Sequence, residues 1–380
     1  MTSKLEDLIA ELCPNGVEYK ALSEVSDMKR GTTVTKKSVN PGDIPVISGG
    51  REPAYYCDTS NRNGETITVA GSGAGAGFVQ YWDKPIFVCD AFSVKGIDDL
   101  TLTKFLYYVL LSKQETIYAT KKGGGVPHVH ISSIENFEIP VPPLEVQAEI
   151  VRILDTFTEL TAELTAELTA RKKQYEYYRD TLLTFNDNNP LHSLISRYCP
   201  NGVEYKKIGD VANYEQPTKY IVKSTEYNNS FATPVLTAGQ SFILGYTDEL
   251  DNIYLASKDN PVIIFDDFTG AIQWVDFPFK VKSSAMKMIT AKPNMLIRYL
   301  YHWMSLLGFS SSEHKRLWIS TYSNFEIPIP PLEVQLQIVQ ILDRFDALCN
   351  DLTQGLPAEI EARRKQYEYY RDQLLTFKRA

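Results

Sequence analysis

The sequence predicts an α/β (α+β) protein in which two similar globular domains are separated by two long antiparallel helices, with pseudo-two-fold symmetry. Three observations carry this reading. First, the chain repeats itself: "CPNGVEYK" at Cys13 returns at Cys199, and "NFEIPVPPLEVQ" at Asn136 returns as "NFEIPIPPLEVQ" at Asn324. "RKKQYEYYRD" at Arg171 likewise returns as "RRKQYEYYRD" at Arg363. The period is a whole domain plus a helix rather than a solenoid unit. Second, each half opens with short β-rich runs set between Gly, Pro, Asn and Asp. Third, each half closes in a long apolar stripe at helical spacing.

The elements follow in order, with boundaries expected at residues 1–143, 144–185, 186–331 and 332–380. In the first domain "IPVISGG", "ETITVAG" and "PIFVCDAFSV" read as strands. "LTKFLYYVLLSKQ" (102–114) reads as a helix with Phe105, Leu106, Val109 and Leu110 on one face. The second domain gives "TPVLTAG", "PVIIFDD" and "KSSAMKMI", then the helix "NMLIRYLYHWMSLL" (294–307). After the stop "IPVPP", apolar residues recur at Ile150, Ile153, Leu154, Phe157, Leu160, Leu164, Leu168, Tyr175, Tyr178 and Leu182. From Leu144 to Phe185 such a helix would reach about 60 Å. The second stripe runs through Ile338, Ile341, Leu342, Phe345, Leu348 and Leu352, then Ile360, Tyr367, Tyr370 and Leu374. "GLP" at 355–357 should kink or restart it, because Pro357 has no N–H to donate. Two such stripes can satisfy each other as an antiparallel pair; the alternative is that each packs on its own domain. The central helix also holds "TELTAELTAELTA", a tetrapeptide run that reads as an adjustable spacer or as slippage in a permissive helix.

Composition sets bounds. Hydrophobic residues make up 43% of the 380, and no apolar run is long enough to span a bilayer. The start "MTSKLEDLIAEL" is acidic and amphipathic, unlike a signal peptide. Five cysteines show no CxxC pair, and Cys13 and Cys199 are repeat equivalents. Reduced thiols and a cytoplasmic location are expected. The net charge of −8 argues mildly against a nucleic-acid protein, so any DNA contact must come from local loops or be shared with a partner.

Catalytic motifs are wanting. "ITVAGSGAGAG" (67–77) imitates a dinucleotide fingerprint, but "FVQYWDKPIFV" follows where a helix is required, so a Gly-rich β-turn is expected. "GGGVPHVH" sets His128 and His130 on one strand face, with no Cys or carboxylate pattern to complete a metal site. Asp266 and Asp267 read as a capped turn rather than a catalytic pair. Aligning the halves is more productive. "IPVISGGRE" (44–52) overlies "TPVLTAGQS" (233–241), so Arg51 stands where Gln240 stands. Arg suits guanine edges and Gln adenine edges through paired hydrogen bonds, as a reading loop would require; the alternative is two unrelated polar residues. The further DNA-contact candidates are Lys29, Arg30, Thr32, Tyr55, Lys121, Lys122 and His128, then Lys219, Tyr246, Lys282, His314, Lys315, Arg316 and Trp318.

In its two-half layout, "IPVPPLEVQAEIVRILD", "IPIPPLEVQLQIVQILD", the TAEL repeats and the doubled "KQYEYYRDxLL", the chain resembles the specificity subunits of type I restriction–modification enzymes. The resemblance implies two target-recognition domains, each reading one half of a split site in double-stranded DNA. It implies two docked copies of an adenine methyltransferase subunit, with restriction subunits added to that core, and no membrane. The chain itself would be non-catalytic, with S-adenosylmethionine, ATP and Mg on the partners. On this reading Tyr177 and Tyr369, which point away from the apolar stripe, would mark two equivalent docking sites together with Arg179 and Arg371. The bland alternative is that the phrase only closes the helix pair. Two other readings stay open: the specificity subunit of a fused methyltransferase–nuclease, separable by its neighbouring genes, and a coiled-coil scaffold that does not read DNA, separable by footprinting.

Overall fold

The computed structural model describes residues 3–123, 125–237, 242–308, 315–351 and 354–380. The chain divides into two compact units, residues 1–165 with 359–380, and residues 166–358. Unit 1 begins with α1 (Ser3–Leu12), β1 (Tyr19–Ala21), α2 (Leu22–Val25), β2 (Ser26–Arg30), β3 (Ile44–Ile47) and β4 (Tyr55–Cys57). It continues through β5 (Thr66–Ala70), β6 (Val79–Trp82), β7 (Phe87–Val88), β8 (Ala91–Gly96), α3 (Thr103–Ser112), α4 (Gln114–Ala119) and β9 (Glu138–Pro140). The long helix α5 (Leu144–Leu182) follows.

Unit 2 repeats the plan with α6 (His192–Tyr198), β10 (Tyr205–Lys207), α7 (Ile208–Val211), β11 (Ala212–Glu215), β12 (Thr233–Leu236) and β13 (Ile243–Thr247). Then come β14 (Val262–Asp266), β15 (Ile272–Val275), β16 (Lys280–Val281), β17 (Met286–Ala291), α8 (Ile297–Leu307), α9 (Leu317–Ser320) and β18 (Glu326–Pro328). Helix α10 (Leu332–Asn350) and helix α11 (Leu356–Leu374) end the series, α11 falling in unit 1.

The sheets show one fold built twice. An antiparallel four-stranded sheet has order β2-β8-β5-β6 in unit 1 and β11-β17-β14-β15 in unit 2. A three-stranded sheet has order β4-β3-β7 and again β13-β12-β16, with one antiparallel and one parallel pairing each. The frame match of "IPVISGG" with "TPVLTAG" is therefore real: Val46 pairs with Phe87 as Val235 pairs with Lys280. Strands β5 and β14 are buried along their whole length, which explains their unbroken apolar runs.

A repeated buried amide joins the helices. Gln147 receives the Leu102 N–H at 2.9 Å and donates to the carbonyls of Pro142 (2.8 Å) and Leu100 (3.0 Å). Gln335 receives the Leu296 N–H at 2.9 Å and donates to Pro330 (2.8 Å) and Asn294 (3.1 Å). The start of α3 is thus fixed to the start of α5, and α8 to α10, which is the work of the repeated "PPLEVQ".

The apolar stripes divide in a way their periodicity does not show. The first turns of α5 are domain core, with Val146, Ile150, Ile153 and Leu154 buried in unit 1. Val334, Ile338 and Leu342 of α10 do the same in unit 2. Leu160, Leu164 and Leu168 are only half-buried. The tyrosine phrases then close the cores: Tyr367 and Leu374 of α11 pack on unit 1, and Tyr175 and Tyr178 of α5 pack on unit 2. In unit 2 the Tyr178 ring stacks on Phe345 at 5.1 Å, while Arg171 and Lys172 lie near Cys349, so α5 and α10 run antiparallel there.

At "GLP" the distal helix restarts, one of the two expected outcomes: α10 ends at Asn350 and α11 begins at Leu356. A Cβ on Gly355 would stand 2.6 Å from the carbonyl oxygens of Ala347 and Asp351, so that close crossing requires glycine. Leu348, expected on the stripe, is exposed, and Cys349 takes the buried position. Leu352 lies outside the described residues.

Candidate nucleic-acid interface

In unit 1 the candidates gather around one set of loops. The glycine stretch is a hairpin turn between β5 and β6, not the entrance to a helix. Gly73 and Gly77 adopt positive φ. A Cβ on Gly75 would meet the Gly49 oxygen at 2.4 Å, so this turn packs backbone to backbone against the loop after β3. Arg51 leaves that loop exposed, its guanidinium over the Phe78 ring at 5.1 Å and its carbonyl accepting from Gln80 at 2.6 Å. On the other flank His128 bridges to both Ser72 and Lys122, and its ring lies parallel to that of His130 at 5.9 Å. Lys121 is half-buried, with its ammonium 4.1 Å above Tyr118, while Lys122 is exposed. Among the described residues no three His, Cys, Asp or Glu side chains are grouped to hold a metal ion.

A cavity of about 280 Å³ opens beside this turn, lined by Arg30, Asp90 and His130 among others. Lys29, Arg30 and Thr32 are exposed along and beyond the end of β2. Lys29 is ion-paired to Asp27. Gly31 between Arg30 and Thr32 leaves no room for a side chain, since a Cβ would lie 2.2 Å from the Cys89 oxygen. Tyr55 is half-buried, and its hydroxyl donates to the Val34 carbonyl at 2.9 Å.

Unit 2 holds its candidates differently. Lys219 is exposed but bonded to Glu215 at 2.8 Å. Lys282 is half-buried near Tyr227, and Tyr246 is half-buried on β13. Lys315 and Arg316 are exposed at the approach to α9. Trp318 is a correction: it is 2% exposed and packs against Phe265 and Tyr322, so it is core and cannot touch DNA. Its ring fills the core beneath α9. Gln240 and His314 lie outside the described residues.

Asp266 caps a turn, accepting the N–H groups of Phe268 and Thr269. Asp267, not singled out for this, accepts the Trp318 N–H at 2.9 Å and lies 3.0 Å from Lys287, with both side chains almost fully buried. It anchors the segment that presents Arg316. Gly71 does the same through its backbone oxygen to Val129 in unit 1.

The two tyrosine phrases have matching geometry. Tyr177 is 66% exposed and set edge-on to Tyr178; Tyr369 is 62% exposed and set edge-on to Tyr370. Arg179 and Arg371 lie flat on their own helices, each bonded to the next aspartate, Asp180 or Asp372, at 2.9 Å. The tyrosines, not the arginines, form the free face.

The two units thus share one backbone frame and differ in the side chains exposed on it. A family model described as the type I restriction modification DNA specificity domain matches residues 14–171 and again residues 200–362. The chain belongs to this family of type I restriction–modification specificity subunits. It is 54% identical over 187 residues to the specificity subunit of a type I restriction enzyme of Escherichia coli, a match spanning 46% of this chain and 45% of that relative. It is 29% identical over 395 residues to a type I specificity subunit of Haemophilus influenzae, covering 95% of this chain and 96% of that one. The crystal structure of a type I S subunit from M. genitalium has the same fold, with a TM-score of 0.68 at 18% identity, covering 95% of this chain and 97% of that one. Among the described residues no helix is long and apolar enough to cross a membrane.

Proposed function

We propose that this chain reads a split DNA target, one half-site per unit, and carries two methyltransferase subunits to which restriction subunits add. The observation that supports this best is the exchange of side chains on a shared frame. Strand β2 ends in Lys29 and Arg30 where β11 and its exit offer Glu215 and Gln216; His128 in unit 1 is matched by Arg316 in unit 2. Changed charge and hydrogen-bonding pattern at these positions would let the two units read different half-sites. Unit 1 reads with Lys29, Arg30, Thr32, Arg51, Tyr55, Lys121, Lys122 and His128; unit 2 reads with Lys219, Tyr246, Lys282, Lys315 and Arg316. The chain is not itself an enzyme in this reading: S-adenosylmethionine, ATP and Mg belong to the partners. The acidic balance fits a subunit whose partners supply much of the phosphate contact.

Footprinting with the cognate methyltransferase present tests this. The expected result is two protected segments separated by an unprotected spacer. Sequence-independent protection, or none, would refute it. Arg51→Ala should relax one half-site only, since one paired base contact supplies about 1–3 kcal/mol of discrimination.

A further inference from the structure

Arg62 was not a candidate, yet it makes the densest set of side-chain bonds beside the reading strand of unit 1. Its Nε donates to Ser93 Oγ at 2.7 Å and its Nη1 to the Asn61 carbonyl at 2.7 Å. Its Nη2 donates to the carbonyls of Arg30 (3.0 Å) and Lys29 (3.4 Å). Ser93 is buried and itself donates to the Lys29 carbonyl at 3.2 Å. Among the described residues, then, this guanidinium bonds one hydroxyl and three backbone carbonyls, and no carboxylate.

The base of the fork is rigid. Arg62 and Ile86 exchange both backbone hydrogen bonds, at 3.0 and 3.1 Å. The neighbouring Asn61 amide does the same with Val88, at 2.7 and 2.9 Å. Beyond the fork, the Gly31 N–H bonds the Ala91 carbonyl and the Thr32 N–H bonds the Val88 carbonyl. Arg30 is therefore held at its own carbonyl by Arg62 and by backbone bonds on the two residues after it.

Unit 2 has the same backbone bridge with a different side chain. Tyr254 and Phe279 exchange both hydrogen bonds, and the Tyr254 ring packs on Tyr220 and Phe279 instead of reaching the strand. The fork is absent where Lys29 and Arg30 are replaced by Glu215 and Gln216. Arg62 and the strand end it supports thus differ together between the two units.

We propose that Arg62 is a positioning residue for sequence reading: it fixes the end of β2 so that Arg30 meets the DNA at one aim. This rests on the assignment of Arg30 as a reader. The guanidinium spreads its bonds over three nitrogens, Nε on Ser93, Nη1 on Asn61 and Nη2 on the strand carbonyls, a span that the single nitrogen of a lysine cannot cover.

The test expresses the full chain with its cognate methyltransferase in a host lacking other adenine methylation and maps every methylated site. The variants are Arg62→Lys, Arg62→Ala, Ser93→Ala and Arg30→Ala. Arg62→Lys keeps the charge and loses the fork, so it should lose about tenfold in discrimination at one or two base pairs of a single half-site. The other half-site and the spacer should stay as in the parent, and Arg30→Ala should relax the same base pairs. Ser93→Ala, a small change in a buried site, keeps the question answerable if Arg62→Ala does not fold. Wild-type stringency in Arg62→Lys and Ser93→Ala while Arg30→Ala relaxes the half-site would overturn the role of Arg62 and leave the reader assignment standing. Wild-type stringency in Arg30→Ala would overturn that assignment and this inference with it.

Discussion

Gln335 is buried completely and makes three hydrogen bonds that join α8 to α10. Gln335→Leu should cost about 1–3 kcal/mol, because it strands a buried N–H and two carbonyls; the midpoint of denaturant unfolding checks this. His302 is also fully buried, 2.9 Å from Asp343 and 3.3 Å from the Tyr175 hydroxyl, with Tyr301, Arg298 and Asp346 around it. Burial holds its pKa below the ordinary histidine value, against the pull of Asp343. The unfolded chain takes up this proton near pH 6.5, and the folded chain resists it to lower pH. Unit 2 should therefore lose stability as pH falls below about 6.5. His302→Gln should remove that part of the pH dependence when unfolding midpoints at pH 7.5 and 5.5 are compared. The matching residue in unit 1 is Tyr108, whose hydroxyl donates to Asp155 and whose pKa burial pushes above the ordinary tyrosine value. None of this was legible in the sequence. The repeated "PPLEVQ" shows that Gln147 and Gln335 recur but not that they are buried, and nothing in the residues around Trp318 marks it as core. The outward turn of Tyr177 and Tyr369 was legible, because two neighbouring tyrosines on a helix cannot share one face.

At the scale of elements, period and repetition were enough to place the long helices, and the two strand-rich regions followed from their matching order. The break at Gly355 was half-visible: proline marks a disturbance, but only the close crossing of Gly355 on α10 makes it a full stop. The TAEL run is a helix with little burial to fix its length. Thr158, Thr161 and Thr165 each donate to the carbonyl one turn back, and the leucines between them are half-buried. One more TAEL after Leu168 adds about 6 Å of rise and about 40° of turn. One base pair adds about 3.4 Å and about 35°. Rotation is the stricter condition for a loop that must face a groove, so the spacer between half-sites should lengthen by one base pair with both half-sites unchanged. Mapping methylated sites after the insertion reads this directly; an unchanged spacer at full activity would show the run to be permissive helix.

For the molecule as a whole, the doubled tyrosine face bears on assembly. Tyr177→Ala combined with Tyr369→Ala removes two exposed rings while leaving Tyr178 and Tyr370 stacked beneath on Phe345 and Phe157. Methyltransferase association should weaken in sedimentation experiments with thermal unfolding little changed; unaltered assembly would sink the docking role. What repetition could not reveal is that the first tyrosine phrase closes the core of unit 2 and the second that of unit 1. Unit 2 is a single stretch of chain, residues 166–358, whereas unit 1 needs residues 359–380 to cover its core. The Val17 N–H bonds the Lys378 carbonyl at 2.8 Å, and the Tyr19 hydroxyl bonds that of Phe377 at 3.1 Å. During synthesis unit 1 therefore starts to emerge before unit 2 but is finished after it. At about 5–20 residues per second, an apolar face on unit 1 stays uncovered for roughly 10–40 s while unit 2 is made. That interval is when a nascent chain is most exposed to chaperones, proteases and copies of itself, and protease sensitivity of ribosome-held chains should fall in unit 1 only once the segment 359–380 has left the exit tunnel.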